Sequence, residues 1–390
     1  MAWQTSGHGR MSAGFFEGCL NSPQRPPRRS AALSRLRRRQ TVNPSDAVRQ
    51  AVMVGVLACA AFRPLSLPCQ TLSPWSRAGT WQVRAEKNIL LRDSRRQKNL
   101  LVSAYYPVRT DGTRGETAVR HPVIVFSHGA GGSGDAEFAI VSHWASHGYV
   151  VLCPTHDDSV KLQRSSGKVV GGVTELIARA LTDRDLAVNR CFDISFVLDS
   201  LDALLAKLPG FSDSVDRGRV GVGGHSLGAY TAQVVAGATI QFPGDREPRS
   251  YADPRVKAVL QLSGQGSGQG GLFDRSWDNL RLPMMCVTGS LDRGAKGQPP
   301  EWRREPFDRS PPGDKYFLFI DGAHHGSFTG RADGALRFRA GEQAAIFEWV
   351  TAATTGFWDA YLKQDESARA FLKSSALSDA SAGKARVEQR

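Results

Sequence analysis

The chain has 390 residues, 41% hydrophobic and 22% charged, a balance that can bury a core and excludes a wholly disordered polypeptide. No uninterrupted apolar run reaches the roughly 18–20 residues of a membrane-spanning helix, which excludes a polytopic membrane protein. The formal net charge is +13, but residues 1–50 hold nine Arg, no Lys and two acids, a net +7, and the other +6 is spread over residues 51–390. A nucleic-acid footprint concentrates on one face or helix, so the excess reads as a property of a leader and no nucleic-acid partner is expected.

Residues 21–50 are rich in Pro and Arg and lack apolar periodicity, so they are not expected to fold alone. Ala51 to Phe62, AVMVGVLACAAF, then carries no charge. A basic flank followed by an apolar run of about 7–15 residues is the pattern of a secretory signal, and Ala58-Cys59-Ala60 offers a cleavage site. Cys59 is alternatively a lipidated cysteine, and the run alternatively a buried element of a cytoplasmic protein. The expected organisation is a basic leader over 1–75 with a signal segment at 51–62, a catalytic domain over 76–365, and a tail over 366–390. Export is the expected localisation: periplasmic, secreted or lipid-anchored.

From Thr80 onward, TWQVRAEKNILL and NLLVSAYYPV flank the turn-like RDSRRQK and predict a β-hairpin. PVIVFS (122–127) and YVVLCP (149–154) are short continuous apolar runs, as expected of strands buried on both faces. Between them, Glu137 to His147 is amphipathic and predicts a helix stopped by Gly148. Residues 184–208 place Leu186, Phe192, Phe196, Val197, Leu201, Leu204 and Leu205 near helical spacing, with Pro209-Gly210 as the stop. RVGVGG (219–224) predicts a strand and Leu227 to Ala236 a helix. VKAVLQLSG, LPMMCVTG and YFLFIDG predict three further strands, and 341–362 a final helix. Strands alternating with helices after a hairpin predict an α/β fold, a mainly parallel doubly wound sheet with an antiparallel N-terminal edge. Ligands of such sheets gather at the carboxyl ends of the strands.

Gly224-His225-Ser226-Leu227-Gly228 matches G-x-S-x-G directly between a predicted strand and helix, the context of a nucleophile elbow. A serine hydroxyl needs a base oriented by an acid, and in this architecture they follow as Ser, then Asp or Glu, then His. Asp292 and the pair His324-His325 lie just past two later strands and satisfy that order. Asp308 and Asp314 are alternatives to Asp292, and Asp321 reads as structural. A tetrahedral intermediate needs two N–H donors. Leu227, after the nucleophile, supplies one, and Ala130, in the loop Ser127-His128-Gly129-Ala130-Gly131-Gly132, is the candidate for the other. His128 reads as a loop-stabilising residue.

The same loop matches G-x-G-x-x-G over Gly129–Gly134, with Asp157 and Asp158 near the place of a ribose-binding acid, so a dinucleotide-binding oxidoreductase is a rival reading. Acyl transfer on the same nucleophile is another. His143 and His147 have a metal-capable spacing, but no third ligand accompanies them, and a solvated helix face is expected. No metal or organic cofactor is expected. Thr155-His156-Asp157-Asp158 and Gly264–Gly271 are expected at the pocket rim. Phe273, Trp277, Trp302 and Phe328 are either an acyl pocket or ordinary packing. Cys153 and Cys286 read as core residues, and a disulfide among Cys69, Cys153 and Cys191 is open after export.

Together FSHGAGGS, WASHGYVVLCPTH, GGHSLGAY, VTGSLD and DGAHHGSF resemble the α/β-hydrolases related to platelet-activating-factor acetylhydrolase and to predicted dienelactone hydrolases. The resemblance spans about 80–362. It implies a Ser226, Asp292, His325 triad acting on a small-molecule or lipid ester. The family's G-A-x-H pattern, matched by Gly322-Ala323-His324-His325, selects the second histidine, and its Ser-His-Gly-x stretch implies the Ala130 N–H as an oxyanion donor. True dienelactone hydrolase has Cys at the nucleophile, whereas this chain has Ser226. No large lid insert is evident, and 156–183 is the segment available for a flap.

Overall fold

A computed structural model describes Leu72 and residues 74–109, 119–167, 173–211, 213–330 and 340–390. The expected signal at 51–62, with Cys59 and Cys69, lies outside the described residues.

The two β-type runs pair as β1 (Gln82–Asp93) and β2 (Lys98–Val108), an antiparallel hairpin at one edge of the sheet. Chain order continues through β3 (Arg120–Ser127), α1 (Phe138–Ser146), β4 (Val150–Thr155), α2 (Val160–Ser165), α3 (Val173–Thr182), α4 (Arg184–Asp199) and α5 (Leu201–Leu205). Then come β5 (Ser214–His225), α6 (Leu227–Val235), β6 (Val256–Leu262), β7 (Met284–Leu291), α7 (Glu305–Arg309), β8 (Lys315–His324) and α8 (Ala340–Trp358). The chain ends with α9 (Glu366–Lys373), α10 (Ala376–Ala380) and β9 (Ala385–Gln389).

The strands form one sheet in the order β1-β2-β4-β3-β5-β6-β7-β8-β9. β3 to β8 run parallel, and β1, β2 and β9 provide the antiparallel pairings. This is an α/β-hydrolase fold. The central strands are apolar throughout because both faces are covered. Along β3, Val123 and Val125 join one core cluster with residues of α4 and α6, while Ile124 and Phe126 join the other with α1 and α8. Among the described residues no helix is long and apolar enough to cross a membrane.

Three expectations need correction. The periodic stretch 184–208 is not one helix: it breaks at Ser200, whose N–H reaches back to Phe196 and Val197, and α5 starts afresh. Trp75, placed in the leader, is docked: its indole donates to Asp359 Oδ2 at 2.8 Å. Residues 366–390, expected as a tail, are ordered as α9, α10 and β9. Leu372, Leu377 and Ala385 are buried, and β9 pairs with β8 from Tyr316↔Gln389 to Ile320↔Ala385. Burial of these few apolar side chains, with the β8 edge as a hydrogen-bonding template, orders the segment.

Candidate active site

The turn at Ser226 is tight because the sequence permits close backbone approaches there. A Cβ on Gly224 would fall 2.2 Å from the backbone of Gly228, and one on Gly228 would fall 1.8 Å from the carbonyl oxygen of Ser127. Only glycine fits at either position. Ser226 has φ 54° and ψ −121°, a strained conformation for a residue with a side chain. Its N–H donates to Leu262 O at 2.9 Å, which ties the turn to the end of β6. Leu227 opens α6, so its N–H has no intrahelical acceptor.

Asp292 follows β7 and is fully buried, and His325 follows β8. His325 Nε2 is 3.0 Å from Ser226 Oγ, and His325 Nδ1 is 2.9 Å from Asp292 Oδ1. The three sequence-predicted side chains are thus brought into one hydrogen-bonded series. His324 turns elsewhere: its Nδ1 accepts from Gly326 N–H at 3.2 Å. His225 Nε2–H donates to His325 O at 2.8 Å and holds that residue's backbone. Burial, then the His325 charge, lowers His225 to about 3, so it is neutral near pH 7.

Three residues at the acid, Ser263, Arg303 and Thr288, escaped sequence reasoning. Ser263, just past β6, donates to Asp292 Oδ2, and its oxygen lies 2.8 Å from His325 Nδ1. Arg303, 3% exposed, places Nε 3.0 Å from Asp292 Oδ2 and 2.9 Å from Asp292 O. It also donates to the carbonyls of Ser263, Gly264 and Arg293. Thr288 Oγ1 donates to Asp292 Oδ2 at 2.9 Å. Burial raises the Asp292 carboxyl, but the His325 hydrogen bond and the Arg303 charge outweigh it and hold it below the usual carboxylate range. Ser263 had a legible signal, a polar residue ending an apolar strand. Arg303 had none.

The loop bearing Ala130 lies against the elbow: a Cβ on Gly129 would be 3.5 Å from Ser226 Cβ. A groove of about 940 Å³ starts at Ala130 and continues past Gly132 and Ser133 to Phe138, Lys161 and Arg164. Phe138 is 58% exposed on it, and Lys161 pairs with Asp135 at 2.9 Å.

The Gly129–Gly134 loop has its polar groups engaged internally. Gly131 N–H donates to Asp158 Oδ2 at 2.9 Å, and Gly132 N–H to Gly129 O at 3.1 Å. Asp158 is buried against Arg190, so it is not at a ribose site, and His156 is buried rather than at the pocket rim. His128 is a loop residue, as expected: Nδ1–H donates to Gly129 O at 2.6 Å. His143 and His147 are not a solvated face. Each Nε2–H donates at 2.9 Å to a backbone carbonyl, of Trp75 and Arg77 respectively. Asp321 accepts from Ser290 Oγ away from the imidazole. Trp277 and Phe328 are fully buried packing residues, and Trp302 donates to Ser267 O. Cys153, Cys191 and Cys286 are buried free thiols.

The topology and the elbow define the class: an α/β-hydrolase-fold protein. Within that class, residues 87–165 match the family model of platelet-activating factor acetylhydrolase, isoform II. No curated protein matches the chain by sequence. Among solved structures, ferulic acid esterase from Streptomyces cinnamoneus superposes with a TM-score of 0.50 at 20% identity, covering 74% of this chain and 92% of that one. At that identity the likeness is one of fold.

Proposed function

We propose that the chain is a serine hydrolase of carboxylic esters, with Ser226 as nucleophile, His325 as general base and acid, and Asp292 as its orienting partner. The observation that carries this reading is the unbroken series Ser226 Oγ, His325 Nε2, His325 Nδ1, Asp292 Oδ1, at 3.0 and 2.9 Å, on a strained elbow. Ser226 attacks the ester carbonyl as its proton passes to His325 Nε2. The N–H groups of Ala130 and Leu227 receive the oxyanion. The tetrahedral intermediate expels the alcohol with the proton from His325, leaving an acyl-enzyme. Water, deprotonated by His325, attacks that ester, and collapse releases the acid and restores Ser226. Asp292 stays ionised beside Arg303 and keeps the His325 tautomer correct. The groove that Ala130 lines lies beside one of the two proposed oxyanion donors.

The family match over 87–165 and the esterase-like fold support ester hydrolysis as a class. The dinucleotide reading has no comparable support, because Asp158 already accepts a loop amide that a phosphate would need. The test combines a fluorophosphonate probe with p-nitrophenyl acetate turnover. Wild type should be labelled and active. Ser226→Ala should lose the label and about 10⁴–10⁶-fold in kcat. Equal turnover by the two proteins would refute the assignment.

A further inference from the structure

A second Ser–His–Asp series lies behind the oxyanion loop. Ser127 Oγ is 2.9 Å from His156 Nε2, and His156 Nδ1 is 2.9 Å from Asp193 Oδ2. All three residues are fully buried, and none of them hydrogen-bonds to Ser226, His325 or Asp292. Their partners fix the protons. Asp193 accepts, so His156 carries its hydrogen on Nδ1, and Nε2 accepts from the Ser127 hydroxyl. Ser127 Oγ accepts in turn from Arg190 Nη1 at 3.3 Å. Burial, then the Arg190 charge, pushes His156 well below the ordinary imidazole value, so it is neutral near pH 7. A serine with no exposed surface cannot reach an ester, so this series is not a second reaction centre.

What the series touches is the backbone around Ala130. Arg190 grips Asp158 at 2.9 and 2.7 Å, donates to His128 O at 2.8 Å, and reaches Gly129 O at 3.3 Å. His128 Nδ1–H and Gly132 N–H also donate to Gly129 O. His128 Nε2 accepts from His156 N–H at 3.0 Å, which couples the ring to the end of β4. Asp158 holds Gly131 N–H. The Gly129 carbonyl and the Ala130 N–H belong to one planar trans peptide and point in opposite directions. Three donors pulling Gly129 O inward therefore turn the Ala130 N–H outward, on the side where Ser226 lies.

We propose that Arg190 and Asp158, braced by Ser127, His156 and Asp193, are positioning residues that orient the Ala130 N–H as an oxyanion donor. The effect on rate rests on the ester-hydrolase reading; the effect on the loop does not.

The test uses the full chain carrying Ser127→Ala, or the neutral pair Asp158→Asn with Arg190→Gln. Amide hydrogen exchange of a peptide spanning 127–132 should accelerate by about tenfold or more while the sheet stays protected. Turnover of p-nitrophenyl acetate per titrated Ser226 should fall about 10–10²-fold in kcat, with KM changed less than about twofold. Affinity for phenylboronic acid, whose tetrahedral Ser226 adduct uses the same donors, should fall with kcat. Should the paired variant fail to fold, Ser127→Ala, which removes one oxygen, decides the matter. Unchanged exchange in the loop, or unchanged kcat and boronate affinity in a thermally weakened variant, overturns the proposal. So does fluorophosphonate labelling of Ser127 in Ser226→Ala. An inactive wild type would sink the ester reading, and the exchange measurement would still decide the positioning role.

Discussion

Gly228→Ala probes how the fold makes the nucleophile's turn. The added methyl would fall 1.8 Å from Ser127 O, 2.4 Å from Ser127 C and 2.8 Å from His128 O, where real Cβ contacts do not come under 3.0 Å. All three are backbone atoms, so no side-chain rotation relieves the clash. The first turn of α6 and the end of β3 must part by at least about 1.2 Å, the gap between those limits. That movement separates the two peptides carrying Leu227 N–H and Ala130 N–H. Misplacing a reacting group by about 1 Å costs about 10²-fold, and losing one oxyanion donor about 10²–10³-fold in kcat. We therefore expect kcat to fall about 10²-fold, close to 2.7 kcal/mol of transition-state stabilisation. Overpacking should cost a further 1–3 kcal/mol, roughly, in stability. Steady-state kinetics on p-nitrophenyl acetate and a urea midpoint measure the two. Gly341→Ala is the control, since a Cβ there meets nothing within 4 Å. A folded Gly228→Ala protein with kcat within about threefold of wild type would refute the claim that this approach sets the site.

Two further perturbations follow from buried charge and from the sheet edge. Arg303→Met leaves the Asp292 carboxylate without its guanidinium, and breaking a buried pair costs about 3–5 kcal/mol. Because the folded carboxyl lies below its unfolded value, its stabilisation is complete above the unfolded value and is lost as pH falls through the folded one. The stability gap between wild type and Arg303→Met should thus be widest near neutrality and narrow as pH drops below about 5, as followed by denaturant midpoints. A gap independent of pH would show that Asp292 ionisation is not linked to Arg303. Deleting residues 384–390 removes β9, the Glu388–Arg304 pair and the Arg390 carbonyl that accepts from Lys315 N–H. At about 1 kcal/mol per ladder bond the loss should reach several kcal/mol. The bared β8 edge should also promote concentration-dependent association visible by light scattering, and a monodisperse protein of unchanged stability would contradict the structural role given to β9.

The parts of the site legible in the sequence are those governed by local rules. The Gly224–Gly228 elbow is written in five consecutive residues, because the clash it avoids lies between its own glycines and the adjoining strand. Asp292 and His325 were legible because parallel strands deliver their ends to one rim. The resemblance, not the strand pattern, separated His324 from His325, and the structure shows why the pattern could not: both sit at the same strand end and differ in direction. Ser263 and Arg303 meet Asp292 from 29 and 11 positions away, and such distances appear only once the chain is folded. Arg190 occupies a helix whose buried face carries Arg190 and Asp193 while Phe192 of the expected apolar stripe is exposed, so the spacing does not announce it, and its partner Asp158 lies 32 positions earlier. ARVEQ at the C-terminal edge is short and half exposed, so it lacks the apolar run that announced the central strands.

Arg303 and Arg190 solve the same problem on opposite sides of the nucleophile. Loops that leave a parallel sheet at its active rim carry carbonyls with no ladder partner, and burial makes an unpaired carbonyl costly. Arg303 meets four such oxygens, those of Asp292, Ser263, Gly264 and Arg293, and Arg190 meets those of His128 and Gly129. A planar guanidinium with five donors can span several acceptors and a carboxylate at once, which a lysine ammonium cannot. Each arginine needs its own counter-ion to be buried: Asp292 serves for one and Asp158 for the other. On the first side that counter-ion is also the acid of the triad; on the second it also holds the Gly131 amide. The desolvation cost of two buried ion pairs is thereby tied to the geometry of the base and of the oxyanion loop. Replacing either pair with apolar packing could preserve stability, but it would leave those loops without the contacts that aim them.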